Sequence, residues 1–206
     1  MLILAADCSL PILSVALLND RSLLGAIALE GKGSRNEKLL PAIDWLLAEC
    51  GADRRDIEVF ASTRGPGSFT GVRIGLATIQ GLALALGRPV CAMSTHEAIA
   101  LGDPDPERIA IHDDAGRGEF YVSLFENHRE LTAPRLATKE QRDELVATAS
   151  LVISVADFLQ HGNVAASCAR RARELSESSD AERYRDVTPI YVRLAEAEVK
   201  LQQRQA

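Results

Sequence analysis

The run Gly65-Pro66-Gly67-Ser68-Phe69-Thr70-Gly71 constrains this chain more than any other segment. It separates an apolar stretch, Ile57 to Ser62, from a longer one that runs to Leu86 before Gly87 and Pro89 stop it. Glycines and a proline packed this densely rule out a continuous strand or helix and demand a tight loop. The flanks then read as strand, loop and helix, a building unit of α/β folds. The helix, Gly71 to Leu86, carries two rows of small residues. Gly71 and Gly75 are followed one turn on by Thr78, and Ala77, Gly81 and Ala85 form the second row. An interior glycine costs a helix roughly 1 kcal/mol against alanine. Rows of this kind therefore need a close neighbour. That neighbour is either another element of the same fold or a helix of another subunit, and both readings stand here.

Strand-like runs open the chain at Leu2–Ala6, Leu13–Leu18 and Leu23–Leu29, with Asn19-Asp20-Arg21 as a turn. They predict an antiparallel meander whose first strand, apolar on both faces, lies in the middle of its sheet. A helix is predicted from Asn36 to Glu49. Leu39, Leu40, Ile43, Leu46 and Leu47 fall at helical spacing, and Pro41 sits near the first turn. After the long helix come a strand, Val90–Met93, and a short helix, His96–Leu101. Gly102-Asp103-Pro104-Asp105-Pro106 has a linker composition. It divides a first subdomain, 1–102, from a second, 103–206. The second restarts with strands at Arg108–His112 and Glu119–Phe125 around a Gly116-Arg117-Gly118 turn, and a third at Leu131–Leu136. Then follow a helix at Lys139–Ala149, a strand at Leu151–Ser154, helices at Val155–Gln160 and 164–176, and a terminal helix from Ile190 to about Arg204. Periodicity alone establishes α/β. The repeated order points to two ribonuclease-H-like subdomains of the actin-like class, the second reduced.

With 206 residues, 47% of them hydrophobic, the chain can bury one large core or two smaller ones. The net charge of -6 argues against a chain that traps nucleic acid by itself. Met1 to Ala6 lack the basic flank of a secretory signal, and Asp7 ends the run. Thr78 and Gln80 mark the long apolar helix as a core helix, so no membrane span is expected. Cys8, Cys50, Cys91 and Cys168 form no CxxC pair. They read as buried thiols in a cytoplasmic protein.

The candidates for chemistry are few. At a helix N-terminus the glycine loop can bind an anion, but neither a Gly-Lys-Ser/Thr nor a GxGxxG pattern accompanies it. The alternative is a tight turn with Ser68 or Thr70 as a helix cap, worth about 1 kcal/mol. Asp7 and Ser9 sit where an actin-like fold faces its nucleotide and metal, and an aspartate capping a turn fits them equally. His96-Glu97 opens an HExxH pattern, but its second histidine position holds Ala100. Asp113 and Asp114 are adjacent on a strand and so point to opposite faces. Ser68 and Ser94 have no histidine partner, and there is no GxSxG elbow. No catalytic residue and no metal site is predicted.

Gly65 to Gly75 followed by Gly81-Leu82-Ala83-Leu84 resembles the signature of the TsaB (YeaZ) family. Asp7, Ser14-Val15-Ala16-Leu17, Leu39-Leu40-Pro41, Asp114-Ala115, Glu119, Tyr121 and Pro189-Ile190-Tyr191-Val192-Arg193 match it as well. The resemblance implies an actin-like ATPase (ASKHA) fold. It also implies an accessory subunit, not itself an enzyme, that dimerises with a TsaD-type catalytic subunit. That pair transfers a threonylcarbamoyl group to the adenosine just after the anticodon of tRNA. A TsaE-type P-loop ATPase and tRNA are implied partners through the complex, and a homodimer when the chain is alone. The resemblance implies no cofactor of its own, with ATP or ADP at the complex interface. The implied interface holds Gly65, Pro66, Gly67, Ser68, Phe69, Thr70, Gly71, Arg73, Ile74, Gly75, Thr78 and Gly81, with Asp7 and Ser9 near any nucleotide. On this reading bulky residues at Gly75 or Gly81 should break association and leave the fold intact. In the catalytic relatives a metal-binding histidine pair follows the next strand, and those positions here are Thr95 and Ile99. The chain departs from the family at Arg35, where many members have histidine. It departs also at Asp114-Ala115-Gly116-Arg117, where the arginine is displaced by one, and in a shorter second subdomain. A stand-alone actin-like ATPase or kinase, and a peptidase, are the alternative functions.

Overall fold

The computed structural model describes residues 1–20, 22–30, 35–100, 107–127, 129–176 and 181–193. The expected linker at 102–106 and the terminal helix beyond Arg193 lie outside them. In chain order the elements are β1 (Ile3–Asp7), β2 (Leu13–Leu18), β3 (Leu23–Leu29), α1 (Arg35–Glu49), β4 (Val59–Thr63), α2 (Phe69–Leu86), β5 (Val90–Met93) and α3 (Thr95–Ala100). Then come β6 (Arg108–Gly116), β7 (Glu119–Glu126), β8 (Arg129–Ala137), α4 (Lys139–Val146), β9 (Leu151–Ser154), α5 (Val155–His161) and α6 (Val164–Ser176). Short 3-10 turns at Arg54–Asp56 and Ala181–Arg185, which periodicity does not reveal, complete the set.

The first sheet has the order β3-β2-β1-β4-β5, with β1 antiparallel to β2 and parallel to β4. The second has the order β8-β7-β6-β9, with β6 antiparallel to β7 and parallel to β9. Each is a three-strand meander whose first strand takes a parallel neighbour after a helix. The first sheet adds one further parallel strand, β5. This is the duplicated ribonuclease-H-like plan of the actin-like class, with the second unit smaller.

β1 is central because both of its faces are apolar, and every one of its residues is buried. Leu4 and Ala6 point to one face, where they join Leu39, Ile43 and Leu46 of α1 and Ile79 and Ala83 of α2. Ile3 and Ala5 point to the other, where they meet Val164, Cys168 and Ala172 of α6. The strand period of two sorts the residues between these layers. α6 departs from the expected grouping. Its sequence lies in the second half, but it packs across β1, β2 and β4 of the first sheet. Hydrogen bonds tie that end of the helix down, from the Ala165 N–H to Ser14 Oγ (3.1 Å) and from Asn163 Nδ2 to the Ile27 carbonyl (3.0 Å). The reason is coverage. A sheet buried on both faces needs a second layer, and α1 and α2 occupy only one side.

α2 begins two residues earlier than its glycine pattern suggests, because Ser68 is its N-cap. Its 18 residues are long and apolar enough to cross a membrane. In this fold Val72, Leu76, Ile79 and Ala83 have another use, burial against the sheet.

Candidate functional site

The glycine loop spends its polar groups inside the protein. The Arg64 N–H donates to the Met93 carbonyl (2.9 Å), the Thr95 N–H to the Gly65 carbonyl (2.8 Å) and the Ser68 N–H to the Ser9 carbonyl (2.7 Å). Ser68 Oγ accepts from the Gly71 N–H at 3.2 Å. Two N–H groups that an anion would need are thus already used, and the helix-cap reading describes Ser68. Glycine is required at 65 and 67. Their φ values are +101° and +149°, and an added Cβ would collide with the Ile190 carbonyl oxygen and the Ser9 carbonyl oxygen respectively.

Asp7 ends β1 beneath this loop and is fully buried. Its Oδ1 accepts from the Ser9 N–H (3.1 Å), from Ser9 Oγ (2.6 Å) and from Thr63 Oγ1. Ser9 Oγ also lies 3.0 Å from Thr95 Oγ1. The result is a closed polar chain, Thr63–Asp7–Ser9–Thr95. Asp7 Oδ2 has no hydrogen-bond partner among the described residues. Burial pushes the Asp7 carboxyl above its ordinary range, against the hydrogen bonds from Ser9 and Thr63. Thr95 is consumed in this chain, and Ile99 is packed in the core between the two halves. Neither position offers an imidazole to a metal.

A cleft of about 510 Å³ opens between the halves, with Ser9, Leu10, Pro11, Gly67 and Ser68 on one wall and Asp113, Asp114, Ala115, Gly116 and Tyr121 on the other. Ser9 lines it, and Asp7 lies behind. Its charged side chains are carboxylates, so the phosphates of a nucleotide would meet like charge there. Burial raises the Asp113 carboxyl as well. Among the described residues no group of three or more His, Cys, Asp or Glu side chains is placed to hold a metal ion.

One pairing escaped the sequence. His96 Nδ1 lies 2.7 Å from Ser123 Oγ. This is a serine–histidine contact, but both residues are buried at the junction of α3 and β7, and no substrate reaches them. Burial holds His96 down to about 3, so the ring is neutral and the pair acts as an internal tie.

The two small-residue rows of α2 part company. Gly71 and Gly75 are buried. A Cβ on Gly75 would sit 3.5 Å from Cys8 Cβ and 3.6 Å from Ser62 Oγ. Close packing inside the fold therefore accounts for this row, and the bulky substitution expected to spare the fold at Gly75 would strike Cys8, just past β1, and Ser62 of β4. Ala77, Gly81 and Ala85 face outward. A Cβ on Gly81 would have nothing within 4 Å, and Leu84 beside it is 84% exposed. Of the other predicted interface residues, Phe69, Thr70 and Arg73 are exposed, and Gly67, Ser68, Ile74 and Thr78 are half-buried. Gly65 and Pro66 are buried. On α1, Leu40 is 46% exposed instead of core-facing, and Trp45 is 58% exposed. Leu84 and Trp45 carry no signal in sequence, because an exposed apolar residue on a helix looks like any core residue.

A family model described as TsaD, tRNA N6-adenosine threonylcarbamoyltransferase, matches residues 32–165. The chain belongs to that family. The TsaB protein of Escherichia coli (strain K12), a tRNA threonylcarbamoyladenosine biosynthesis protein, is 38% identical over 129 residues, 61% of this chain and 55% of that protein. The TsaB protein of Bacillus subtilis (strain 168) is 34% identical over 127 residues, 61% of this chain and 56% of that protein. The chain thus matches a little over half the length of these curated relatives. The structure of YeaZ from Pseudomonas aeruginosa superposes with a TM-score of 0.72 at 27% identity, covering 92% of this chain and 99% of that one. These likenesses place the chain in the TsaB (YeaZ) branch of the family.

Proposed function

We propose that this chain is the non-catalytic partner of a TsaD-type threonylcarbamoyltransferase and docks on it through the outward face of α2. The observation that carries the proposal is that face itself. Ala77, Gly81 and Ala85 make it flat, and Leu84 projects from it with 84% of its surface exposed. A flat row lets a partner helix approach closely, and a projecting leucine supplies the apolar area such contacts bury. Thr95 and Ile99, where the catalytic relatives place their metal histidines, support an accessory role. In this reading the chain works in the cytoplasm and assists threonylcarbamoyl transfer to tRNA. The TsaE-type ATPase and tRNA join through the complex, ATP or ADP sits at its interface, and two copies pair through the same face when the partner is missing. Co-purification with the TsaD-type subunit of the same organism tests the proposal. Leu84→Asp should remove the partner while the circular dichroism spectrum stays that of the parent. A complex that survives Leu84→Asp would overturn it.

The competing reading, a self-sufficient ATPase, requires the cleft to accept a nucleotide between carboxylates. ATP turnover by the purified chain, lost in Asp7→Ala, would favour that reading over ours.

A further inference from the structure

We infer that residues 186–193 form a clasp that fixes the first half of the molecule to the second across the rim of the cleft. The segment is anchored to the glycine loop and to the start of α2. Asp186 pairs with Arg64 Nη1 at 3.0 Å, and the same nitrogen donates to the Thr188 carbonyl at 3.2 Å. The Ile190 N–H donates to the Arg64 carbonyl at 2.6 Å. Val187 packs on Val72, Leu76 and Ala92. Tyr191 closes the anchor. Its hydroxyl accepts from Arg73 Nε at 2.7 Å, and its ring centroid lies 4.8 Å from that of Phe69. The Arg73 guanidinium stacks 3.8 Å over Phe69.

Two residues further on, the chain is held by the other half. Arg193 Nη1 donates to the Ala115 carbonyl at 2.9 Å, and Nη2 donates to the Gly116 carbonyl at 3.3 Å and to the Glu119 carboxylate. These acceptors flank the turn between β6 and β7, and Ala115 and Gly116 also line the cleft. From Tyr191 to Arg193 the backbone can span at most about 7 Å. The two anchors lie only two residues apart, so the clasp limits how far the glycine loop and the β6–β7 turn can separate while both hold. Two-lobed proteins open and close their clefts by hinge motion. Here that motion must break Arg193 from the turn or Tyr191 from Arg73. The clasp holds the cleft at one width and makes the α2 face and the second half move as one body.

Hydrogen–deuterium exchange on the full chain tests this, because a clasp couples its two ends and separate local contacts do not. Arg193→Ala removes three charge-assisted bonds at the turn alone. Exchange should rise by about tenfold not only in 113–121 but also in 186–192 and 64–69. In the other direction Tyr191→Phe, which keeps the ring and loses the hydroxyl, should raise exchange in 113–121. Arg185→Ala breaks the neighbouring exposed pair with Glu182 (2.9 Å) and should leave all three segments unchanged. Loosening confined to the mutated end in both variants would overturn the clasp, as would no loosening at all. If Arg193→Ala fails to fold, Tyr191→Phe still decides the point through the remote turn.

Discussion

Placing leucine at two glycines of α2 should give opposite results at two positions less than two turns apart. At Gly81 an added Cβ meets nothing within 4 Å. Leucine there replaces the weakest ordinary helix former with one of the best, worth about 0.8 kcal/mol. Nothing in the isolated chain opposes that gain. For a protein of this size it should raise Tm by roughly 2–3 °C. The same side chain fills the flat strip between Ala77 and Ala85, so a partner helix can no longer approach. Gly81→Leu should therefore be more stable alone and unable to associate. At Gly75 the propensity gain is the same, but a Cβ already touches Cys8 Cβ at 3.5 Å and Ser62 Oγ at 3.6 Å. The branched end of leucine must displace Cys8, just past β1, or Ser62 of β4, and overpacking of this kind costs about 1–3 kcal/mol. Gly75→Leu should lower Tm, while Gly75→Ala, at ordinary contact distance, should be tolerated. Urea titration and pull-down on the same preparations read both effects, the titration run dilute to keep homodimers out. A Gly81→Leu chain that is less stable than the parent, or that still binds the TsaD-type subunit, would refute the division of α2 into an inner and an outer row.

Three further outcomes follow from individual polar side chains. The Asp7 carboxyl has a folded pKa above its unfolded value, so its contribution is intact below the unfolded pKa and is lost as pH rises through the folded one. Asp7→Asn should accordingly gain on the parent as pH rises above the ordinary carboxylate range, read as the difference in urea midpoints. His96 has a folded pKa lowered to about 3, so it behaves in the opposite sense. Stability is complete above its unfolded pKa and falls as pH drops from about 6.5 towards 3, by up to a few kcal/mol. His96→Gln should flatten that acid limb of the denaturation profile. Ser68→Ala removes the N-cap of α2 and should cost about 1 kcal/mol of unfolding free energy, read by urea titration.

What the sequence made legible is what depends on near neighbours along the chain. Strand period two and helix period 3.6 located β1 as central and α2 after the loop, because burial on both faces writes an unbroken apolar run. The rows of α2 were visible as rows. Which of them points inward depends on where Cys8 and Ser62 lie, and that is settled by the pairing of β1 with β4. The His96–Ser123 tie joins residues 27 apart, and Arg73 meets Tyr191 across 118. No local pattern encodes such distances. α6 looked like part of the second half because sequence neighbours usually share a layer. It was recruited by the uncovered face of the first sheet instead.

The route of α6 makes the chain indivisible. During synthesis, the face formed by Ile3, Ala5 and Ala16 stays wet until residues 164–176 leave the ribosome, well over a hundred residues later. A fragment ending near residue 100 would present that face to solvent and aggregate. Closure of the first layer must wait for contacts of long sequence separation, which slows folding. A late-made helix thus completes the first-made sheet, and a truncation that removes α6 uncovers the N-terminal half.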